Sequence, residues 1–378
     1  MERFSVKNLR IGFVTGNRSD FAKIRPYLCF FVQRAPTFVF ATSMHTEQGF
    51  SHPSKLLQGI PTGAVISYAD VNRDSLAQEM SGLVSKIADF LTQNKISFLF
   101  VHGDRVEALA AATAGACCRI PVCHIEAGDE SGNIDETFRH AITKLSNRFL
   151  VDDELSRQIV LSLGEEPHSI HIVGNATLSA LPNPARQKAI LKQYGLIGKK
   201  YILVLYHPET DLSAARQYHR ALQLVSMLQN CPTELLVIDP NNDAGAEQIK
   251  RAYQKFTQPT QRIFHSFSLE EYLTLLQHAV CLVGNSSSGV KEAPLLQVPS
   301  INIGSRQQNR AKGRNYTLFH SVATAKEALP LIQKLYAAAQ SAPHAKTQKP
   351  FNFQQRLKQI FTADFFCPDL QKEFHFSR

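Results

Sequence analysis

The chain has 378 residues, of which 44% are hydrophobic and 19% charged, a composition typical of a globular protein and unlike a disordered one. This length exceeds what one ordinary core requires and suits two domains of under about two hundred residues each. The formal net charge of +9 is scattered along the chain and does not interleave with aromatic residues, which favours a small anionic ligand over nucleic acid.

Two further classes of protein are disfavoured by composition. No run approaches about eighteen consecutive apolar residues, so we expect no membrane-spanning segment. The seven cysteines are an odd number and show no CxxC spacing. That pattern indicates buried free thiols in a reducing cytoplasm and no zinc site.

In the first half of the chain, short apolar runs typical of buried strands alternate with helical segments. The predicted strands lie at residues 11–15, 38–42, 64–68, 97–101, 120–125, 148–151 and 169–173. Between the third and fourth of these strands, apolar residues at helical spacing predict a long helix with Asp74 or Ser75 as its N-cap.

The alternation restarts after a polar, Pro-containing break, ALPNPARQ (180–187). Further strands are predicted at 201–206, 234–239, 262–266, 280–284 and 300–304. The pattern predicts an α/β protein with two doubly wound, Rossmann-like domains facing a cleft, one over residues 1–182 and one over 188–350. The final segment, 351–378, contains a helical stretch that the sequence alone assigns to neither domain.

Polar clusters follow five of the predicted strands. They are GNRSDF (16–21), HGDR (102–105), HIEAGDESGNIDETFRH (124–140), HPET (207–210) and GNSSSG (284–289). Ligands of open α/β sheets bind beyond the carboxyl ends of the strands. Because every cluster lies at that end of its strand, we expect both domains to present them to one shared cleft.

GNSSSGVKEAP resembles a phosphate cradle, in which small residues lead into a helix N-terminus whose free N–H groups favour an anion. Glu292, one turn further on, has the chemistry to accept the hydroxyls of a ribose. A serine N-cap is the simpler interpretation. Three consecutive serines, however, exceed what a cap requires.

The other clusters have simpler interpretations too. Arg18 can grip a phosphate but also pair with Asp20; Asp104 can serve in a site or cap a helix; and a lone histidine such as His207 is more often structural.

In the acidic run, a helix starting near Ile134 or Asp135 would pair Asp135 with Arg139, and Glu136 with His140, on an exposed face. Against this interpretation, Glu126 ends an apolar strand that should lead into the cleft. Convergence of Asp104, Glu126 and Asp135 would shift their pKa values, as proton-transfer sites require.

Together these motifs resemble the UDP-N-acetylglucosamine 2-epimerases, specifically the hydrolysing branch that serves sialic-acid and legionaminic-acid synthesis. The matching stretches run in order from residue 15 to 307, about four-fifths of the chain. They are TGNRSDFAKIRP, VHGDRVEAL, HIEAGDESGNIDETFRHAITKLS, YHPETD and GNSSSGVKEAPLLQVPSINIGSRQ. The central run is the most specific, because the non-hydrolysing branch continues differently after HxEAG.

The resemblance implies a fold like that of GT-B glycosyltransferases, with UDP held mainly by the C-terminal domain. It implies that catalysis uses Asp104, Glu126, Asp135 and His207. It implies that the substrate and its UDP group are bound by Arg18, Arg105, Ser286, Ser287, Glu292 and Arg306. One departure is Glu209, which stands where valine is usual after His-Pro, near the expected sugar site.

We therefore expect a hydrolysing 2-epimerase that converts UDP-N-acetylglucosamine, or UDP-2,4-diacetamido-2,4,6-trideoxyglucose, to UDP and a free manno-configured sugar through a glycal. A GT-B glycosyltransferase with a UDP-sugar donor is the alternative, and a non-catalytic nucleotide-sugar sensor or a nucleic-acid binder are further ones. The expected reaction needs no cofactor and no metal. We expect a cytoplasmic homo-oligomer, a dimer or tetramer, with no nucleic-acid or membrane partner.

Overall fold

The computed structural model of the chain describes residues 9–42, 64–69, 75–130, 135–209, 212–229, 231, 233–241, 243–307, 318–341 and 352–372. The chain divides into two compact units. Unit 1 comprises Met1–Ser179 and Phe351–Arg378, and unit 2 comprises Ala180–Pro350. The final segment, whose membership the sequence left open, thus belongs to unit 1.

Unit 1 is built on a seven-stranded sheet in which neighbouring strands are parallel, in the order β3-β2-β1-β4-β5-β6-β7. The strands are β1 (Ile11–Thr15), β2 (Thr37–Thr42), β3 (Ala64–Ala69), β4 (Phe98–His102), β5 (Val122–Ile125), β6 (Arg148–Val151) and β7 (Ile170–Ile172). Every residue of β1, β2, β4, β5 and β6 is buried, as expected for a parallel sheet covered on both faces.

The described helices of this part of the chain follow the strands in alternation. They are α1 (Arg18–Phe31), α2 (Leu76–Gln93), α3 (Val106–Cys117), α4 (Asp135–Leu145) and α5 (Glu154–Ser162). α2 begins after Ser75, one of the two predicted caps, whose hydroxyl accepts the Gln78 N–H at 3.2 Å. The cap fixes the start of the helix because it satisfies an N–H that has no partner inside the helix.

Unit 2 repeats the design with six parallel strands in the order β10-β9-β8-β11-β12-β13. The strands are β8 (Tyr201–Leu205), β9 (Glu234–Ile238), β10 (Gln261–Phe264), β11 (Cys281–Gly284), β12 (Ser300–Ile303) and β13 (Phe319–Val322). The described helices are α6 (Pro184–Gln193), α7 (Ala214–Leu228), α8 (Ala246–Tyr253), α9 (Leu269–Gln277), α10 (Ser288–Lys291) and α11 (Ala325–Ser341). The prediction of two doubly wound α/β domains is confirmed.

In each sheet the strand order reverses beside the first strand of the unit: between β1 and β4 in unit 1, and between β8 and β11 in unit 2. Doubly wound sheets bind ligands at this switch point, outside the carboxyl ends of the strands. The residues after these four strands are therefore the ones whose positions matter most for function.

The C-terminal segment completes the core of unit 1. It contains helix α12 (Phe353–Ile360) and a 3₁₀ turn at Asp364–Phe366. Its aromatic rings join one hydrophobic cluster with the sheet and α1. The Phe361 ring lies 4.8 Å from that of Phe31 and 5.8 Å from that of Phe100. The chain thus leaves unit 1, forms unit 2 and returns to cover one face of the first sheet.

The twelve strands predicted from the sequence are all present, with ends within two residues of the prediction. β13 was not predicted. Its residues are only partly buried, and its sequence, FHSV, lacks the apolar run of a central strand. An edge strand pairs on one side only, so its sequence carries a weaker signal.

Two other expectations concern membranes and thiols. Over the described ranges, no helix has the length and apolar character needed to cross a membrane. All seven cysteines are free. Cys117 and Cys367 are exposed, so the expectation of buried thiols is wrong for these two, which lie at the end of α3 and just after the 3₁₀ turn.

Replacing Phe361 by alanine should lower the free energy of unfolding by about 3–5 kcal/mol, because the buried ring is lost and a cavity remains. Urea denaturation followed by circular dichroism measures this. Leu370→Ala is the matched control in the same segment, because that side chain is 47% exposed, and it should change stability by under about 0.5 kcal/mol. Equal effects in both variants would mean that the segment does not belong to the core.

Candidate active site

The ends of three neighbouring strands meet at the switch point of unit 1. His102 is the last residue of β4, Asp104 follows two residues later, and Glu126 comes directly after β5. β4 and β5 pair in parallel with His102 opposite Ile125, which fixes these residues at one edge of the sheet. Asp20 reaches the same edge from the first turn of α1, after β1.

Arg139 of α4 holds Asp104 and Glu126 in place. Its guanidinium binds the Oδ2 atom of Asp104 and donates to the backbone carbonyl of Glu126 at 2.7 Å. The Asp129 carboxylate lies 3.9 Å from the same guanidinium. Burial of Arg139 opposes its charge, but Asp104 and Asp129 outweigh burial and raise its pKa. Arg139 is therefore a permanent buried cation that fixes both predicted catalytic residues.

His124 on β5 supports the turn that carries Asp104. Its Nε2 atom lies 2.8 Å from the Gly103 carbonyl and its Nδ1 atom 3.1 Å from the Thr143 hydroxyl. A carbonyl only accepts, so Nε2 carries the proton. Burial, assisted by the nearby Arg139 charge, lowers the pKa of His124 to about 3. This histidine is neutral and structural.

His102 has the opposite character, because it lies between two carboxylates. Its Nε2 atom is 3.4 Å from Glu126 and its Nδ1 atom 3.5 Å from Asp20. Burial disfavours the imidazolium, but Glu126 and Asp20 outweigh burial and raise the pKa of His102 to about 9. Lys23 of α1 also donates to Glu126, at 2.6 Å. Glu126 therefore faces two cations at neutral pH.

The backbone at Glu126 is strained. Its φ of 59° lies in the left-handed region, which costs a residue with a side chain roughly 1–3 kcal/mol. Gly128 follows with a φ of 69°, and a Cβ there would lie 2.2 Å from the Ser156 carbonyl oxygen. The strained turn points Glu126 back across the sheet edge, and the hydrogen bond from Arg139 to its carbonyl holds it there. Strain of this kind is typical of functional sites.

The other predicted residues of unit 1 are less fully defined. The Arg105 guanidinium binds Glu107 at 3.1 and 3.2 Å and lies 3.9 Å from Asp20. Arg18 begins α1 and Asp135 begins α4, but their side chains lie outside the described part of the structure. The roles predicted for these three residues stay predictions.

In unit 2, His207 and Asn285 join the carboxyl ends of β8 and β11. The His207 N–H donates to the Asn285 Oδ1 atom at 2.6 Å, and the Asn285 amide donates to the His207 carbonyl at 2.9 Å. Gly284 allows this close approach. Its φ is 146°, and a Cβ there would lie only 1.9 Å from the Leu205 carbonyl oxygen. Two hydrogen bonds between His207 and Asn285 thus join the ends of β8 and β11 at the switch point of unit 2.

The His207 ring is neutral, with a defined tautomer. Its Nδ1 atom accepts the Asn241 N–H at 3.1 Å, so the proton lies on Nε2. Burial and then the Arg306 charge lower the pKa of His207 to about 3. This narrows the predicted role of His207 to donating one hydrogen bond from Nε2, without a positive charge.

The three serines after Asn285 have different roles. Ser288 is buried and accepts a hydrogen bond from the Tyr272 hydroxyl at 2.7 Å. The Ser286 hydroxyl accepts the Ser288 N–H at 3.3 Å, in the manner of a cap. Ser287 makes no capping hydrogen bond, and both it and Ser286 are half-exposed. Capping therefore accounts for Ser286 and not for Ser287.

The loop after β12 approaches the same asparagine. Gln307 donates to the Asn285 carbonyl at 3.0 Å, and Arg306 lies 3.4 Å from that oxygen. Glu292 follows α10 and is buried. Unit 2 thus brings Arg306, His207 and Ser286 together around Asn285. Their role in binding phosphate stays a prediction.

Glu209, the departure noted in the sequence, has a packing role in unit 2. Its buried carboxylate accepts hydrogen bonds from Arg220 at 2.7 Å and from the Tyr206 and Ser305 hydroxyls, both at 3.4 Å. The residue thereby ties the His-Pro-Glu turn to the loop that carries Arg306. The carboxylate is directed into the unit and is fully occupied with these partners.

Three residues of unit 1 that contact the predicted catalytic carboxylates were not predicted as site residues: His102, Lys23 and Arg139. For Arg139 the interpretation of an exposed helical pair is wrong, because the side chain is only 3% exposed and binds Asp104. The companion contact on that helix, His140 to Glu136 at 3.4 Å, is present. A signal existed for Lys23, which lies one helical turn after Asp20 and so shares its face of α1.

The side chains gathered in unit 1 have the chemistry for proton transfer by carboxylates. Those gathered in unit 2 have the chemistry for binding an anion through neutral donors and one arginine. Among the described residues, no group of three His, Cys, Asp or Glu side chains is arranged to hold a metal ion.

Known proteins resemble the chain over most of its length. The family model described as UDP-N-acetylglucosamine 2-epimerase matches residues 32–363. The chain is 34% identical over 351 residues to UDP-N-acetylglucosamine 2-epimerase of Neisseria meningitidis serogroup B, covering 86% of this chain and 87% of that protein. It is 30% identical over 321 residues to UDP-N,N'-diacetylbacillosamine 2-epimerase (hydrolyzing) of Legionella pneumophila, covering 81% of this chain and 84% of that protein.

A solved structure shares the fold. The UDP-GlcNAc 2-epimerase from Neisseria meningitidis bound to UDP-GlcNAc matches with a TM-score of 0.74 at 19% sequence identity, over 93% of this chain and 98% of that chain. At this level of identity the likeness establishes a GT-B-like fold for both.

Removing the Arg139 charge should destabilise the protein strongly. Arg139→Met leaves Asp104 and Asp129 without their buried cation, and breaking a buried pair costs about 3–5 kcal/mol. Thermal and urea unfolding measure the loss. Arg157→Met is the control, because Arg157 pairs with Glu154 at 3.1 Å on the surface and should contribute under about 1 kcal/mol. Similar stability of the two variants would contradict the central position given to Arg139.

Proposed function

Because the chain belongs to the UDP-N-acetylglucosamine 2-epimerase family, we propose that it is a hydrolysing member. It converts a UDP-linked N-acetyl sugar of gluco configuration to UDP and the free sugar of manno configuration. The run HIEAGDESGNIDETFRH, which resembles the hydrolysing branch, supports this proposal. A relative named as hydrolyzing, 30% identical to this chain, supports it too.

The substrate of the proposal is UDP-N-acetylglucosamine or UDP-2,4-diacetamido-2,4,6-trideoxyglucose. The names of the two curated relatives above point to one sugar each. The free product would enter synthesis of a sialic-acid-type sugar. By the same resemblance we infer a cytoplasmic dimer or tetramer.

The chemistry of the sugar explains why carboxylates and an anion site are both needed. The C2 proton is not adjacent to a carbonyl and is barely acidic. A base removes it only as the C1–O bond breaks, so that UDP leaves with the bonding electrons and a C1–C2 double bond forms. A proton then adds to C2 on the opposite face and water adds at C1, which gives the free manno sugar.

One observation carries the proposal: Arg139 holds Asp104 and Glu126, 22 residues apart in sequence, at one sheet edge. Proton transfer at C2 needs carboxylates that are held in fixed positions. A positioned general acid or base increases the reaction rate by about 10²–10⁴-fold. Asp135, at the start of α4, is the proposed third member of the set. In this proposal residues 1–182 supply the acid/base groups.

Residues 188–350 hold the UDP group. The proposed contacts of its phosphates are Ser286, Ser287, Arg306 and the Nε2–H of His207, with Glu292 accepting the ribose hydroxyls. By the resemblance we infer that Arg18 and Arg105 also bind the substrate. Donors fixed before the reaction stabilise charge that develops on the leaving group, as oxyanion holes do.

Turnover in heavy water tests the reaction. With either UDP-sugar as the only substrate, the protein should release UDP and a manno sugar that carries one deuterium at C2. Mass and proton spectra of the released sugar measure this. A labelled manno sugar still attached to UDP would indicate a non-hydrolysing epimerase. UDP with unlabelled gluco sugar would indicate simple hydrolysis, and absence of UDP release without an added acceptor would indicate a glycosyltransferase.

Binding of UDP tests the site of unit 2. Ser287→Ala and Glu292→Ala should each weaken UDP binding by about tenfold or more, because a hydrogen bond to a charged group contributes about 1.5–3 kcal/mol. Isothermal titration calorimetry measures the affinity. Ser226→Ala, exposed on α7, is the matched serine control and should bind UDP normally. Unchanged affinity in the two site variants would reduce the serine loop to a helix cap.

A further inference from the structure

Glu126 and Asp104 have partners of different chemistry. Asp104 binds the Arg139 guanidinium, whose charge does not vary with pH in a protein. Glu126 contacts Lys23 at 2.6 Å and His102 at 3.4 Å. A histidine changes its charge within reach of physiological pH. The charge next to Glu126 can therefore change with pH, whereas the charge of Arg139 next to Asp104 cannot.

The position of His102 is unusual for a structural histidine. Both ring nitrogens are buried, and each faces a carboxylate, Asp20 on one side and Glu126 on the other. His124, on the neighbouring strand, forms short hydrogen bonds to a carbonyl and a hydroxyl and is neutral. The contacts of His102, at 3.4 and 3.5 Å, are those of an ion pair.

We propose that His102 is a positioning residue that acts only as an imidazolium. Its charge holds Glu126 ionised and directed at the sugar, while Asp20 anchors the ring from the other side. This inference rests on the proposed function and assigns to Glu126 a supporting cation beyond Lys23. His102 itself does not touch the substrate in this proposal. The ion pair between His102 and Glu126 weakens when Glu126 accepts a proton and re-forms when Glu126 releases it.

The charged groups around His102 favour its protonated form. Among the described residues, the titratable and charged groups that face it or its partners are Asp20, Lys23, Tyr27, Arg105, His124, Glu126 and Arg139. Among the side chains that the structure describes, Asp20 and Glu126 are the two charged groups that pair with the ring. They raise its pKa to about 9, so the imidazolium is complete at neutral pH and is lost as pH rises through that value.

The first test is the pH profile of His102→Gln, which keeps a side chain of similar size but carries no charge. Turnover should fall about 10²-fold, since misplacing a catalytic group by about 1 Å costs that much. In the wild type, kcat/KM should fall as pH rises through about 9, which gives the profile an alkaline limb. This limb should be absent from the variant. Lys23 is retained in the variant, so a limb due to that lysine would persist. Near-normal turnover, or reduced turnover with the limb unchanged, would overturn the proposal.

The second test is rescue. Added imidazole should restore turnover of His102→Ala, and the rescue should weaken as pH rises and free imidazole loses its proton. His124→Ala is the matched control, because that ring is neutral, so any rescue there should follow neutral imidazole and strengthen with pH. Rescue with the same pH dependence in both variants would count against a charged His102.

A third variant leaves His102 unchanged, so its result does not depend on whether substitutions at position 102 fold. Asp20→Asn removes the anchor of the ring and one of the two carboxylates that stabilise the imidazolium. Turnover at pH 7 should therefore fall, though less than in His102→Gln, and the fall in kcat/KM at alkaline pH should move to lower pH. An unmoved limb would overturn the proposal. Wild-type release of UDP and manno sugar is measured in parallel, and UDP affinity of the variants should be unchanged. Failure of the wild-type reaction refutes the proposed function, whereas failure confined to the variants refutes only the role of His102.

Discussion

The site of unit 1 depends on the need to partner one buried charge. Arg139 is almost entirely removed from water, so its guanidinium must find acceptors within the protein. It binds Asp104 after β4 and the carbonyl of Glu126 after β5, with Asp129 close by. This single group therefore couples helix α4 to two strand ends. It also secures the strained backbone of Glu126, whose left-handed conformation would otherwise be costly.

The pKa values of His102 in unit 1 and His207 in unit 2 are shifted in opposite directions. In unit 1 the carboxylates of Glu126 and Asp20 raise the pKa of His102. In unit 2 burial and Arg306 lower the pKa of His207, which is left as a neutral donor hydrogen-bonded through its other nitrogen to Asn241. The contrast suits the proposed division of work. A carboxylate must be ionised to take a proton, whereas a leaving phosphate brings its own negative charge and needs donors fixed in advance.

Prediction from sequence succeeded where a local pattern reflects a local cause. Ser75 caps α2 because a hydroxyl there satisfies a free N–H, and the strands were located because central parallel strands are continuously apolar. It failed at β13, an edge strand with a mixed sequence. It left open the C-terminal segment, since Phe361 meets Phe31 across some 330 residues of chain. No local pattern records a contact of that range.

The sequence by itself determined the α/β class, the two-domain division of the alternating pattern, and the placing of polar clusters after strands. Each follows from the short-range periodicity of buried parallel strands. Only the tertiary structure decided which partners those clusters take. Arg139 binds Asp104, which lies 35 residues away in the sequence. His102 acquires its charge from Asp20 and Glu126, which reach it from other elements. Protonation depends on burial and on charges within a few ångströms, and these exist only once the chain has folded.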